Sequence, residues 1–162
     1  MAGNAAFAGG DIETATEILT RARQDAETAA SAPLQAIVAT DLARVMVTQG
    51  LGVEALAELE TATSLSPQNA ESWLLKATLL RRLDRLDEAQ MAIERAVDLA
   101  PADPQAGLEA GVIAVLSGRD EAARASWQSV IDLQPTSPAA LTAQSYIAQL
   151  AAPPVPETQE PS

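Results

Sequence analysis

The sequence predicts an all-α fold, a right-handed α-solenoid of about eight helices, and a fixed repeat length carries this prediction. Prolines recur 34 residues apart, at Pro67, Pro101 and Pro135. The same step separates small and apolar residues: Ala55, Ala89 and Ala123, then Leu65, Leu99 and Leu133. A unit of this size cannot bury its own apolar face, so we expect neighbouring units to stack on one another.

Each unit is predicted to form two amphipathic helices joined by a tight turn. Apolar residues at helical spacing, bounded by turn and capping residues, predict eight helices over 11–30, 33–49, 53–66, 70–83, 86–100, 104–117, 120–134 and 138–151. Pro104 and Pro138 begin two of these helices, and Asp103 and Ser137 are their predicted caps.

Aromatic residues make up only 2% of the chain, so the core is predicted to consist of many small contacts. Small residues stand where the helix backbones should approach closely: Ala43, Ala77 and Gly111 on first helices, and Ala55, Ala89 and Ala123 on second helices. Trp127 is predicted to lie in the core between helices. Trp73 fits either the core or the edge of a groove. Met46 and Met91 are predicted to fill gaps in the core.

The segment 70–103 resembles the tetratricopeptide repeat, a helix–turn–helix unit. It has Trp73 at the tryptophan position of the repeat, Ala77 and Ala89 at its two small positions, Ala96 at the later alanine and Pro101 at the closing proline. The segment 104–137 matches through Gly111, Ala123, Trp127 and Pro135. The segment 36–69 matches through Ala43, Gly50, Ala55, Ala62 and Pro67.

The resemblance implies one repeat domain over residues 1–151. The domain is expected to contain a partial repeat at 1–32, full repeats at 36–69, 70–103 and 104–137, and a capping helix at 138–151. Three residues depart from the family pattern: Lys76 at an apolar position, Asp84 at the turn glycine and Gly107 at the tryptophan. The proline- and glutamate-rich tail, 152–162, is expected to be disordered because it cannot bury a core. A proline-motif ligand is the alternative interpretation of the tail.

Composition limits the classes of function. The 162 residues carry a net charge of −12, so we expect no binding to nucleic acid or to anionic membrane surfaces. No apolar run is long enough to predict insertion into a membrane. Cysteine and histidine are both absent, which removes thiolate and imidazole ligands and Ser-His or Cys-His nucleophiles. We therefore expect no enzyme activity, cofactor or metal site.

The acidic residues of the second helices have the spacing of a solvated face rather than of an acid/base pair. They are Glu54, Glu58, Asp87, Glu88, Glu94, Asp98, Asp120 and Glu121. First helices, by contrast, are expected to line the concave face of the stack. By the resemblance, the groove side consists of Thr40, Arg44, Val47, Thr48, Leu74, Thr78, Arg81, Arg82, Leu108, Val112, Val115 and Leu116.

This groove combines arginines with aliphatic residues in an otherwise acidic protein. Arginine forks match carboxylates, and aliphatic side chains supply area to bury, so we expect a protein or peptide segment with acidic and apolar residues as partner. The arginines also have a second interpretation. Arg81, Arg82 and Arg85 would offset the dipole at a helix end and pair with the acidic residues Asp84, Asp87 and Glu88.

Some members of the family hold a C-terminal carboxylate with lysines and asparagines on successive first helices. This chain has Thr40, Leu74 and Leu108 at one such position, and Arg44, Thr78 and Val112 at another. The clamp is therefore absent. The leading hypothesis is a non-catalytic scaffold or adaptor that binds a segment in its groove, and the alternative is a structural module that self-associates through its partial repeat.

Residues 1–10 match the end of a first helix whose beginning is missing, with Gly3 at the small position and Gly10 at the turn glycine. This pattern favours a chain excised from a longer protein. A cytoplasmic location is slightly favoured, and a periplasmic one is the alternative if an anchor or signal has been removed.

Overall fold

The computed structural model describes residues 12–151, and these residues form eight α-helices and no strand. The helices are α1 (Ile12–Thr28), α2 (Ala32–Thr48), α3 (Gly52–Leu65), α4 (Ala70–Arg82), α5 (Leu86–Leu99), α6 (Pro104–Leu116), α7 (Asp120–Leu133) and α8 (Pro138–Ala151). The predicted helices agree with these bounds to within two residues. Predictions for 1–11 and 152–162, which include the start of the partial repeat and the tail, lie outside the described residues.

Each helix packs against its neighbours in the chain. Helix α2 packs on α3, α4 on α5 and α6 on α7, and each pair also contacts the next one along the chain. First helices touch as well, since α4 contacts α6 and α6 contacts α8. This nearest-neighbour pattern confirms the predicted all-α solenoid. Within the described range, no helix is both long and apolar enough to cross a membrane.

The small residues of the 34-residue step lie at the centre of the stack. Ala55, Ala89 and Ala123 have no exposed surface. Gly111 is packed still more tightly, because a Cβ at this position would lie 2.0 Å from Nε1 of Trp127. The predicted close helix contacts are confirmed, and so is the position of Trp127 in the core.

Two predicted side-chain environments are wrong. Met91 does not fill a gap in the core, because it is 72% exposed on α5. Glu58 does not belong to a solvated face, since it is partly buried and accepts a 2.5 Å hydrogen bond from Arg23. This ion pair joins α1 to α3 across a repeat boundary, a contact that spacing within one helix cannot predict.

Side chains cap the first turns of three first helices. Both predicted caps are confirmed, because the backbone N–H of Gln105 donates to Asp103 and that of Ala140 donates to Ser137. Asn69 caps α4 in the same way, which the sequence did not predict. Such caps satisfy amide groups that the helix leaves unpaired, and removing one typically costs about 1 kcal/mol.

The turns within the three helix pairs each hold one residue in the left-handed region. These residues are Gly50 at φ 78°, Asp84 at φ 59° and Gly118 at φ 70°, one per 34-residue step. The left-handed conformation costs an L-residue about 1–2 kcal/mol, and glycine avoids this cost. Asp84 is therefore the strained member of the series.

Replacing Asp84 by glycine is expected to raise the free energy of unfolding by about 0.5–1 kcal/mol, because the relief of strain exceeds the added chain entropy. Urea unfolding followed by circular dichroism measures this change. The matched control is Gly118→Asp, because a Cβ added at Gly118 would meet no heavy atom within 4 Å, so the backbone strain is expected to dominate. Gly118→Asp should lower the free energy of unfolding. Equal stability of both variants and the parent would contradict the assignment of backbone strain to Asp84.

Candidate peptide-binding site

An apolar depression of about 230 Å³ lies between the first helices α2 and α4. It is lined by Ala43, Arg44, Val47, Leu59, Leu75, Thr78, Leu79 and Arg82. Ala43, Leu59 and Leu79 are buried core residues. Four of the twelve residues predicted for the groove, Arg44, Val47, Thr78 and Arg82, therefore come together around one apolar surface.

Arg82 is the cation of this depression that can bind a ligand. Its side chain is exposed, and within residues 12–151 it has no ion pair or hydrogen-bond partner. Arg44 differs, because it donates to Asp41 at 2.7 Å and also to Glu71, and only 25% of its side chain is exposed. A guanidinium that already holds two carboxylates has fewer free donors, so Arg82 is the better anion ligand.

Arg81 and Arg85 each form an ion pair within the structure. Arg81 donates to both carboxylate oxygens of Glu109, at 2.6 and 3.4 Å, and so joins α4 to α6. Arg85 donates to Glu88 with two bonds of 2.6 Å, which lower the pKa of the Glu88 carboxyl and raise the pKa of Arg85. The pairing interpretation of the arginines thus holds for Arg85, and among the residues that the structure describes Arg82 is the one of the three without a carboxylate.

Three further predicted groove residues lie mostly inside the structure. Thr40 is only 3% exposed, and its hydroxyl bonds to the Ala36 carbonyl at 2.8 Å and to Ser72 Oγ at 2.9 Å. Leu74 and Leu108 are partly buried and pack against the core. These positions shape the interior between successive first helices and offer no free polar group.

Three further predicted residues, Val112, Val115 and Leu116 of α6, line a second depression of about 290 Å³. Its other lining residues are Trp127, Tyr146, Gln149 and Leu150, from α7 and α8. The two depressions share no residue. The groove side predicted from the sequence thus contains two depressions, one lined by Arg44 and Arg82 and one without a charged lining residue. Sequence reasoning missed Leu59, Leu75 and Leu79 as lining residues, because the 34-residue step alone does not show which core side chains border a surface.

The region that the structure describes contains no cluster of carboxylates arranged to hold a metal ion. The arrangement between α2 and α4 instead combines a hydrophobic surface with the guanidinium of Arg82, which has no partner among the described residues. This combination can bury apolar side chains of a partner and hold a carboxylate at the border.

Residues 74–138 match the family model of the tetratricopeptide repeat. This part of the chain matches the tetratricopeptide repeat family. The match covers most of the segment 70–103, where the sequence pattern was strongest, and all of the segment 104–137. No sequence among curated proteins matches this chain.

Solved tetratricopeptide repeat structures share the fold. MamA superposes with a TM-score of 0.76 at 18% identity, over 91% of this chain and 81% of MamA. YrrB, described as a tetratricopeptide repeat protein with an unusual peptide-binding site, gives 0.71 at 22% identity, over 89% and 71%. The first such domain of Spaghetti (RPAP3), bound to the HSP90 peptide SRMEEVD, gives 0.66 at 21% identity, over 72% and 93%. At these identities the likeness establishes the fold, and stacked tetratricopeptide repeats support a protein–protein interaction module.

Proposed function

We propose that this chain is a non-catalytic adaptor that binds an acidic, partly apolar protein segment in the depression between α2 and α4. The observation that carries the proposal is Arg82, an exposed guanidinium without a partner in the described residues, beside an apolar surface in a protein of net charge −12. The chain has 22 acidic and 10 basic residues, and four of its nine arginines, Arg23, Arg44, Arg81 and Arg85, form an ion pair with a carboxylate.

The apolar part of the site supplies the larger share of the binding energy. Burying one aliphatic side chain of a partner against Val47 and Leu75 contributes about 1.5–3 kcal/mol. Arg82 then selects the partner, because a carboxylate in reach of its fork forms a charge-assisted hydrogen bond and a cation there does not. The expected ligand is therefore a segment with aliphatic residues next to an aspartate or glutamate.

Two of the similar structures are described as peptide-binding, YrrB and the RPAP3 domain with its HSP90 peptide. They support a peptide as the class of ligand. The mode of binding is expected to differ from a carboxylate clamp, because Thr40 is buried here and Leu74 and Leu108 carry no hydrogen-bonding group. An internal acidic segment thus fits better than a free C-terminus.

Arg82→Glu is expected to weaken binding of such a segment by about tenfold or more, since a charge-assisted hydrogen bond contributes about 1.5–3 kcal/mol and is replaced by repulsion. The ligand is a peptide selected from a random library on the parent protein, and isothermal titration calorimetry at two salt concentrations measures its affinity. For the parent, affinity should fall as salt rises. For the variant, this salt dependence should vanish or reverse.

The matched control is Arg21→Glu, because Arg21 is an exposed arginine on α1 that lies outside the depression and has no ion pair within residues 12–151. It changes the net charge by the same amount and should leave the affinity nearly unchanged. Arg81 is left intact because its replacement would break the Glu109 pair and disturb the stack. If both variants bind like the parent, the site lies elsewhere.

Self-association through the partial repeat is the alternative, and a light-scattering concentration series would reveal it as a mass that rises with concentration.

A further inference from the structure

A third cavity, distinct from the two depressions described above, lies where the turn after α5 meets the start of α6 and the end of α7. Its volume is about 280 Å³, and it shares no residue with the site around Arg82. Its apolar lining includes Val97, Gly107, Ala110, Val130 and Leu133. An apolar cavity of about 150 Å³ is large enough to hold benzene, so this one has room for a two-ring side chain.

The repeat before it shows what such a place normally contains. Gly107 is the residue 34 positions after Trp73. Trp73 packs against the core, and its Nε1 donates a 3.0 Å hydrogen bond to the carbonyl of Pro67. Pro101, the equivalent of Pro67, lines the cavity, and no donor within residues 12–151 bonds to its carbonyl. The acceptor for an indole is therefore present where the indole is missing.

Several substitutions between the two repeats open the cavity further. At steps of 34 residues, bulky side chains are replaced by small ones: Lys76 by Ala110, Met91 by Ala125 and Arg95 by Ser129. All three small residues line the cavity. In the preceding repeat, Lys76 lies over the ring of Trp73, 5.4 Å from its centroid. Because Ala110 stands at the equivalent position, no long side chain covers the corresponding space in this repeat.

One difference between the repeats replaces a small residue by a larger one, and it prevents a side chain at position 107 from filling the cavity. Val130 stands in place of Ala96, and a Cβ on Gly107 would lie 2.5 Å from its Cγ2. A side chain at 107 is thus excluded, yet about 280 Å³ remains open beside it. The chain has only two tryptophans, and Trp73 and Trp127 are both engaged in their own repeats. An indole in the cavity must come from another protein.

We propose that this Gly107 cavity is a second binding site, which receives a tryptophan side chain from a segment of a different partner protein. The ring stacks among Val97, Val130 and Leu133, and its N–H donates to the carbonyl of Pro101. Trp73 in the preceding repeat is the internal template for this geometry. The site is independent of the binding proposed around Arg82.

The test uses N-acetyl-tryptophanamide as the probe, titrated into the full chain and followed by methyl NMR. Methyl signals of Val97, Val130 and Leu133 should shift and saturate, while those of Val47 and Leu75 should stay in place. N-acetyl-leucinamide and the 1-methyl-indole analogue are the matched ligands. The first lacks the ring and the second lacks the N–H donor, so both should bind several-fold more weakly.

Two variants decide whether the cavity is the site. Gly107→Trp combined with Val130→Ala recreates the Trp73 and Ala96 pair of the preceding repeat and should lower probe affinity by about tenfold or more, because the cavity is filled. Ser129→Arg restores the equivalent of Arg95 at an exposed position and should obstruct the entrance without entering the core. Saturable shifts that disappear in these variants support the proposal. No saturable shift, equal binding of the leucine probe, or unchanged binding in the well-folded Ser129→Arg variant would overturn it.

Discussion

Trp127→Ala is expected to lower the free energy of unfolding by about 3–5 kcal/mol, the range for removing a buried tryptophan. The side chain is 4% exposed on α7, and its Nε1 donates a 3.1 Å hydrogen bond to the Leu108 carbonyl of α6. Its ring also lies 5.2 Å, centroid to centroid, from Tyr146 of α8. One side chain thus joins three helices, so the loss should be concentrated in α6 to α8. Urea unfolding gives the total change, and hydrogen exchange locates it.

Trp73→Ala is the matched control for this prediction. Trp73 is only partly buried, and its hydrogen bond to Pro67 is exposed. The same substitution should therefore cost clearly less stability than at Trp127. An equal or larger loss at Trp73 would contradict the assignment of Trp127 as the main anchor of the C-terminal half.

Gly111→Ala is expected to destabilise the protein by about 1–3 kcal/mol, even though alanine normally favours a helix over glycine by about 1 kcal/mol. The added Cβ would lie 2.0 to 2.5 Å from three atoms of the Trp127 ring. The indole cannot retreat without breaking its bond to Leu108. The melting temperature should fall by several degrees, since about 1 kcal/mol corresponds to about 2–4 °C for a chain of this size.

Gly52→Ala makes the same change in a helix where there is room. A Cβ at Gly52 would lie 3.4 Å from the nearest atom, Cδ2 of Leu83, which is an ordinary contact. Stability should stay the same or rise slightly. We expect the two substitutions to change the free energy of unfolding in opposite directions. A neutral Gly111→Ala would show that the α6–α7 contact is looser than in the structure.

Much of the fold follows from signals that lie close together in the chain. Helix α6, for example, begins at Pro104 after the cap Asp103 and ends before the turn residue Gly118, and each of these residues acts on the adjacent backbone. Met91 shows the limit of this reasoning. An apolar side chain on an amphipathic helix can lie on either face, and many apolar residues of folded proteins stay exposed.

The site was harder to predict because ion pairs cross between repeats. The 34-residue step correctly places Arg81 and Arg82 on a first helix, but it does not show that Glu109 takes the first and leaves the second free. In the same way, the step does not show that the hydroxyl of Thr40 on α2 forms a hydrogen bond with that of Ser72 on α4. Such pairs depend on how two helices face each other, which no pattern within one helix contains.

The most direct test of the proposed binding site is methyl NMR of the protein with the selected acidic peptide. Binding between α2 and α4 predicts that the largest shifts occur at Val47, Leu75 and Leu79, and that Arg82→Glu abolishes them while Arg21→Glu does not. Shifts confined to Val115 and Leu150, or to Val97 and Leu133, with Val47 unchanged, would contradict the proposed site and place the peptide at another surface.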